Sequence, residues 1–336
     1  MRKWPVNSNN IRLYGMPWYT EGRFHRLPLS LETRVSTALW RVAGNTSGAR
    51  IRFQTDSHVV GITCSYRECT GTDDLCIIAK CGMDIYVDGV YWHSVYPTVI
   101  GESEFVFFET ADKKMRDITI YLPIYADCTV YSVNLDSDAS VLPATSFMLD
   151  KPLVFYGTSV TQGGCASRGG LSYQAMLCRA LHLDFVNLGF SGCGRFESEV
   201  AQAIAELPMA ALVIDSGQNC MFHPGEIERR FKPFYTIVRK RNPQLPMLIT
   251  TPIFCDDERW NPVMQSVLES QRTHIKAVYD EVVPDDPNLY LLEWTKHLYA
   301  DDCTIDALHP NDMGFYRMKE TLLPVMRDML GLGEDL

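Results

Sequence analysis

The chain has no run approaching the roughly 18 consecutive apolar residues of a membrane-spanning helix, so a helical span is excluded. Its start, Met1-Arg2-Lys3-Trp4-Pro5-Val6, has a basic touch but lacks the apolar stretch of a signal peptide. Positive charge is scarce: 31 Lys and Arg stand against 41 Asp and Glu, for a net charge of −10. A polyanion is repelled by such a chain, which argues against nucleic acid as a partner. The densest basic cluster, Arg229, Arg230, Lys232, Arg239, Lys240 and Arg241, is partly offset by Glu226 and Glu228 and reads as a solvated helix face. The 11 cysteines lack regular spacing, and no paired CxxC pattern points to zinc. No metal is expected, and the cysteines are read as buried, reduced thiols. Together these features favour a cytoplasmic chain, or a secreted or periplasmic one if a leader is removed from its start. There is no internal repeat and no low-complexity segment.

What is present changes character near residue 145. Before it lie alternating, β-branched runs such as Ala49–Phe53, His58–Cys64, Asp84–Asp88, Glu104–Glu109, Asp117–Leu122 and Cys128–Val133. Turn residues separate them, and Asp88-Gly89 is a hairpin signal. No long helix intervenes, so residues 1–145 are expected to form an antiparallel β-sandwich. The segment Asp136–Lys151 reads as the connection to a second domain, residues 150–336. There the pattern alternates. Strands are expected at Leu153–Tyr156, Phe185–Leu188, Ala211–Asp215, Met247–Thr251 and Leu289–Glu293. Helices are expected at Ser172–Leu181, Ser198–Glu206, Glu226–Arg241, Pro262–Val282 and Asn311–Leu330. Five short apolar strands, each followed by a helix, imply a five-stranded parallel sheet covered on both faces.

Gly157-Thr158-Ser159 follows the first of these strands. A hydroxyl delivered to the C-terminal edge of a parallel sheet, at the start of a helix, can be a nucleophile whose own N–H helps stabilise an oxyanion. The same pattern also serves as a plain turn with a helix cap. The rest of the domain supplies the missing parts of an acyl-transfer site. Asp306 precedes His309 by three residues, close enough to reach its Nδ1 and leave Nε2 for the serine. Pro310 is placed to open the last helix. Gly192, after the second strand, can offer an N–H to substrate. Asn219, after the third, carries an amide suited to developing negative charge, although a turn role is the plainer alternative.

In the order Ser159, Gly192, Asn219, Asp306 with His309, these residues resemble the SGNH (GDSL-type) hydrolase superfamily over roughly residues 150–330. The first block reads Gly-Thr-Ser where many members have Gly-Asp-Ser, and Cys220 stands where an Asp is frequent. In the N-terminal half, Gly82-Met83-Asp84-Ile85-Tyr86 resembles the Gly-x-Asp-Leu-Tyr motif of a β-sandwich domain found ahead of some such hydrolases, with Ile85 in place of Leu. The resemblance implies a flavodoxin-like three-layer α/β/α domain and a serine esterase with a Ser159–His309–Asp306 triad. The oxyanion hole would come from Ser159, Gly192 and Asn219, without a cofactor. Two-domain relatives with a jelly-roll partner act on carbohydrates, so the implied substrate is a short, acetyl ester on a small molecule or oligosaccharide. Arg168, Phe222, His223, Trp260 and Trp294 are candidate substrate contacts, although for the last four packing is the commoner role, by about three to one. The competing readings are a lipid, thioester or aryl esterase on the same triad, a cysteine nucleophile at Cys193 or Cys220, and a carbohydrate-binding protein with a degenerate hydrolase domain. Oligomeric state is left open.

Overall fold

The computed structural model describes all residues except 9, 21, 72–74, 216, 224, 297–301 and 334–336. The chain divides into two compact units. The first comprises Met1–Arg26, Ala43–Met148 and Ser167–Gly170; the second comprises Leu27–Val42, Leu149–Ala166 and Leu171–Leu336.

The N-terminal part carries strands β1 (Arg2–Pro5), β2 (Arg12–Tyr14), β3 (Arg50–Thr55), β4 (Val59–Cys69), β5 (Met83–Val87), β6 (Val90–Val95), β7 (Gly101–Glu109), β8 (Arg116–Tyr121), β9 (Ala126–Leu135) and β10 (Val141–Leu142). Two short helices, α1 (Thr37–Ala43) and α2 (Ile77–Cys81), interrupt them. The strands form two antiparallel sheets, ordered β1-β9-β4-β7 and β10-β3-β8-β5-β6, with β2 beside β3. Period-two alternation explains the core. Val60, Ile62, Cys64 and Tyr66 of β4 share one buried face, as do Ile118 and Ile120 of β8. The β5–β6 hairpin turns on Asp88 and Gly89, both at positive φ (50° and 79°), as a two-residue turn of this hand requires. One expectation is corrected: Cys69 and Cys81 are joined in a disulfide, with Cα atoms 6.4 Å apart, so the cysteines are not all reduced thiols.

Within this unit the Gly-x-Asp-Leu-Tyr-like motif has a definite structural task. Asp84 is fully buried; its carboxylate accepts from the Gly170 N–H (2.7 Å) and the Ser94 hydroxyl (2.8 Å). Arg168 Nη1 donates to the Tyr86 hydroxyl (2.7 Å), and its guanidinium lies 3.7 Å from the Tyr91 ring centre. Burial pushes the Asp84 carboxyl up despite these partners.

The second unit holds β11 (Leu153–Gly157), α3 (Ser159–Gln162), α4 (Tyr173–Ala180), β12 (Phe185–Gly189), α5 (Ser198–Ala205), β13 (Ala211–Asp215), α6 (Glu226–Arg241), β14 (Met247–Thr250), α7 (Pro262–Val282), β15 (Leu289–Leu292) and α8 (Asp312–Leu330). The five strands are parallel in the order β12-β11-β13-β14-β15. Leu153, Val154, Phe155 and Tyr156 of β11 are all completely buried, which is why this strand reads as an unbroken apolar run. Each such side chain contributes about 1.5–3 kcal/mol of burial. α4 packs on α8, while α5, α6 and α7 pack in succession. This is the doubly wound, three-layer α/β/α fold. Its strand order reverses direction at β11, where the chain goes first to β12 on one side and then to β13 on the other. Such a switch point opens a crevice beyond the strand ends.

Two glycines set how closely the next segment can approach that crevice. A Cβ on Gly157 would collide with the Thr161 side chain and the Asp215 carbonyl, and one on Gly189 would collide with the α3 backbone at Thr161 and Gln162. Gly189→Ala is therefore expected to destabilise the protein by about 1–3 kcal/mol through overpacking against a backbone that cannot move aside. The midpoint of urea unfolding measures this, and a midpoint equal to that of the parent would contradict the stated packing.

Candidate active site

Ser159 is the first residue of α3. Thr158 caps that helix, its hydroxyl accepting from the Val160 N–H (3.3 Å), and Gly163 ends it in the left-handed conformation at φ 100°. Side-chain hydrogen bonds seat this short helix on its neighbours. Thr161 Oγ1 donates to the Asp215 carboxylate (3.0 Å), and Asn187 Nδ2 donates to the Thr161 carbonyl (2.8 Å). Gln174 Nε2 donates to that same carbonyl (2.5 Å), and Gln162 Oε1 accepts from the Ser191 N–H (2.9 Å).

Asp215 was not singled out from the sequence, yet it sits beneath the serine turn. It is buried at the end of β13 and accepts from Thr161, Tyr173 (2.9 Å) and Thr250 (2.8 Å). Burial pushes its carboxyl up, and the three hydroxyl donors only partly oppose that. A charged residue closing an otherwise apolar run, Ala-Leu-Val-Ile-Asp, was the available signal.

His309 comes from the other end of the domain, on a small looped hairpin. Ile305 N–H donates to the His309 carbonyl (3.1 Å), and Asn311 N–H to the Cys303 carbonyl (2.9 Å). Inside the loop Ala307 is held at φ 67°, a conformation costing a non-glycine residue about 1–2 kcal/mol. That kink folds Asp306 back on His309. Asp306 Oδ2 lies 2.6 Å from His309 Nδ1, while Oδ1 accepts from the backbone N–H groups of His309 (2.6 Å) and Leu308 (3.0 Å). Leu308 anchors the loop on a small apolar cluster of Met221, Cys255 and Leu268. Pro310 does not open the last helix as expected. It is a bridge residue opposite Thr304, and α8 begins two residues later with Asn311 as its cap, accepting from the Gly314 N–H (3.1 Å).

These elements converge. Ser159 Oγ is 2.8 Å from His309 Nε2. Both line a cleft of about 250 Å³, together with Gly192, Asn219, Phe222 and His223. Gly192 has φ 68° and open space where a side chain would stand. Asn219 Nδ2 donates to the carbonyls of Phe190 and Gly194, each at 3.1 Å, and so ties the loop after β13 to the loop after β12. Phe222, one of the lining residues, is 75% exposed. Trp260 and Trp294 are not among the residues lining the cleft. Arg168 is engaged by Asp84 and Tyr86 within the first unit, Trp260 is 87% exposed, and Trp294 is buried. Cys193 and Cys220 also stand outside it. Burial pushes both thiols up, Cys220 to about 12, which disfavours the thiolate a cysteine nucleophile needs. Among the described residues no group of three or more His, Cys, Asp or Glu side chains could hold a metal ion, and no helix is long and apolar enough to cross a membrane.

Residues 150–327 match the model of the GDSL-like lipase/acylhydrolase family, and residues 3–141 match the GxDLY model, described as the N-terminus of SGNH-hydrolase-type esterases. No curated protein matches the chain by sequence. Among solved structures, a candidate GDSL-like lipase from Bacteroides ovatus is 26% identical with a TM-score of 0.88 over 98% of both chains. A salicylyl-acyltransferase from a tetracycline biosynthetic pathway is 19% identical, with a TM-score of 0.82 over 98% of this chain and 97% of its own. An acetyl xylan esterase from the rumen bacterium Butyrivibrio proteoclasticus is 12% identical, with a TM-score of 0.68 over 99% of each. The last two are similar in fold.

The Asp306 contacts have a measurable consequence. Burial alone would raise its carboxyl, but hydrogen bonds from the His309 N–H, its ring and the Leu308 N–H outweigh that and hold it below the usual range. A carboxyl held lower in the folded chain contributes stability above its unfolded pKa of about 4 and loses it as pH falls through the folded value. The Tm gap between the parent and Asp306→Asn should therefore be constant from about pH 7 to 5 and shrink as pH falls below about 4. A gap that persists unchanged into acid would contradict the assignment of these bonds.

Proposed function

The chain belongs to the GDSL-like lipase/acylhydrolase family, that is, to the SGNH hydrolases, and on that footing we propose that it is a serine esterase removing short acyl groups, acetyl above all, from carbohydrates. The observation that carries this reading is the unbroken relay from Asp306 through His309 to Ser159, at 2.6 and 2.8 Å, opening into a cleft.

In this mechanism Ser159 Oγ attacks the ester carbonyl while His309 Nε2 takes its proton. Asp306 holds Nδ1 protonated and stabilises the imidazolium. The carbonyl oxygen, now an anion, is received by the N–H groups of Ser159 and Gly192. The Ser159 N–H lies in the first turn of α3, where no intrahelical acceptor exists. The Asn219 amide is the third donor. Because its N–H groups already meet the Phe190 and Gly194 carbonyls, it serves the oxyanion by sharing one of them as a three-centre bond. His309 then returns the proton to the departing alcohol, and water, deprotonated by His309, releases the acyl group from Ser159.

The size and surface of the cleft support a short acyl group on a polar carrier. At about 250 Å³ it falls below the roughly 300–1,000 Å³ of pockets that enclose drug-sized ligands. Phe222 offers a ring face and His223 polar atoms at its mouth, the combination with which proteins hold sugars. A solved protein of the same fold is named an acetyl xylan esterase, in keeping with this substrate class.

Ser159→Ala is expected to lower kcat for acetyl esters by about 10⁴–10⁶-fold with folding intact. Asn219→Ala should lower it by about 10²–10³-fold. Acetate release from a panel of acetylated saccharides measures both, and a folded Ser159→Ala protein that keeps most of its activity refutes the triad. On one leaving group, acetyl should be preferred over acyl chains of eight or more carbons; the reverse preference would defeat the short-acyl assignment and favour a lipid esterase.

A further inference from the structure

The loop after β12 serves a second cavity as well. Ser191 and Gly192 face the Ser159 cleft, whereas Arg195, Glu197, Ser198 and Glu199, a few residues on, line a separate cavity of about 450 Å³ within the same unit. The two cavities share no lining residue. We propose that this second cavity binds a small organic anion bearing a carboxylate or phosphate group, for which glucuronate and glucose 6-phosphate serve as probes.

The charge distribution carries the argument. Arg34, Arg195, Arg229 and Arg230 line the cavity against only two carboxylates, Glu197 and Glu199, in a chain whose net charge is −10. Gathering guanidinium groups in a concave surface raises the local concentration of anions. With Glu226 included, three carboxylates stand against the four guanidinium groups, and among the described residues Arg34 and Arg229 are ion-paired to none of them. Glu197 points inward, accepting from the Tyr156 hydroxyl (2.9 Å) and the Arg195 N–H (3.1 Å). Glu226, behind the wall, is divided between Arg195 (3.2 Å) and Arg230 (3.1 Å). Arg34 meets only the neutral Gln202 amide (3.1 Å).

Donors are also left over. The Arg195 Nε is buried without an acceptor, and the Arg229 guanidinium has no hydrogen-bonding or ionic partner among the described residues. Glu197, the N-cap residue of α5, makes no side-chain cap, so the first N–H groups of that helix lack one beside the cavity. Guanidinium forks match the planar or tetrahedral oxygens of carboxylate and phosphate. The volume lies in the range of sites for small organic molecules and exceeds what a lone inorganic anion fills. The basic cluster read from the sequence as one solvated helix face thus divides. Lys232, Arg239 and Arg241 pair with Glu281, Asp286 and Glu206, while Arg229 and Arg230 turn to the cavity.

The test is calorimetric titration of the full chain at low salt with glucuronate, glucose 6-phosphate, glucose and inorganic phosphate, a readout independent of ester hydrolysis and of the triad. Glucuronate or glucose 6-phosphate should bind at millimolar concentration or below, and glucose should not. The double variant Arg34→Ala/Arg229→Ala, both exposed residues outside the proposed triad, should weaken that binding by about tenfold or more. Arg241→Ala, on the same helix but away from the cavity, should leave it unchanged. Added salt should weaken the binding further. Should the double variant unfold early, Arg229→Ala alone gives the same comparison. Binding of glucose as tight as that of the sugar anions, equal losses in the double variant and Arg241→Ala, binding of inorganic phosphate alone, or no binding of any sugar anion would each overturn the proposal.

Discussion

Everything at the cleft depends on how deeply the serine turn sinks into the ends of three strands. Gly157 and Gly189 remove the two side chains that would hold α3 away, and Thr161 then reaches the buried Asp215 carboxylate. Once the short helix is seated, the direction of Ser159 is set by backbone packing, not by a flexible side chain. The His309 loop needs only to present Nε2 at hydrogen-bond distance, which it does at 2.8 Å. Without the close approach, the hydroxyl would stand off the sheet and the relay would be broken at its last step.

Two carboxylates around this turn have opposite environments and opposite work. Asp306 is half open to solvent and surrounded by N–H donors, so its charge is favoured and it can hold an imidazolium. Asp215 is closed off from water, accepts from three hydroxyl groups, and is pushed toward its neutral form. The first is suited to electrostatics during a reaction; the second is suited to tying α3, α4 and β14 to β13. The same contrast separates the thiols from the serine. Cys193 and Cys220 lie on loops adjoining the cleft, yet burial keeps them protonated.

The loop following β12 integrates these parts. The Gln162 side chain holds it at Ser191, and Asn219 holds it at Phe190 and Gly194. The Tyr156 hydroxyl holds it at Phe196, accepting from that N–H at 2.7 Å. A segment with this many tethers keeps Gly192 in place despite its open surroundings. It also connects the cleft to the arginine-lined cavity through a few residues of chain.

Much of this was legible in the amino-acid sequence because it is local. Short apolar runs marked the five parallel strands, the first two of them closing on glycine, helix periodicity placed α6 and α7 to the residue, and Asp306 and His309 fall within one turn of each other. Asp88-Gly89 dictated its hairpin by the positive φ both residues tolerate. What tertiary structure alone decided depends on residues far apart in the chain. It paired Cys69 with Cys81, placed Asp215 under the serine turn and committed the Asn219 amide to two carbonyls. It drew Arg168 to Asp84 and Tyr86, and separated Arg229 and Arg230 from the rest of their helix face. Spacing along a chain encodes periodicity and short-range reach; which buried donor meets which acceptor is decided only when strands and helices close around a common core and every polar group left inside must find a partner.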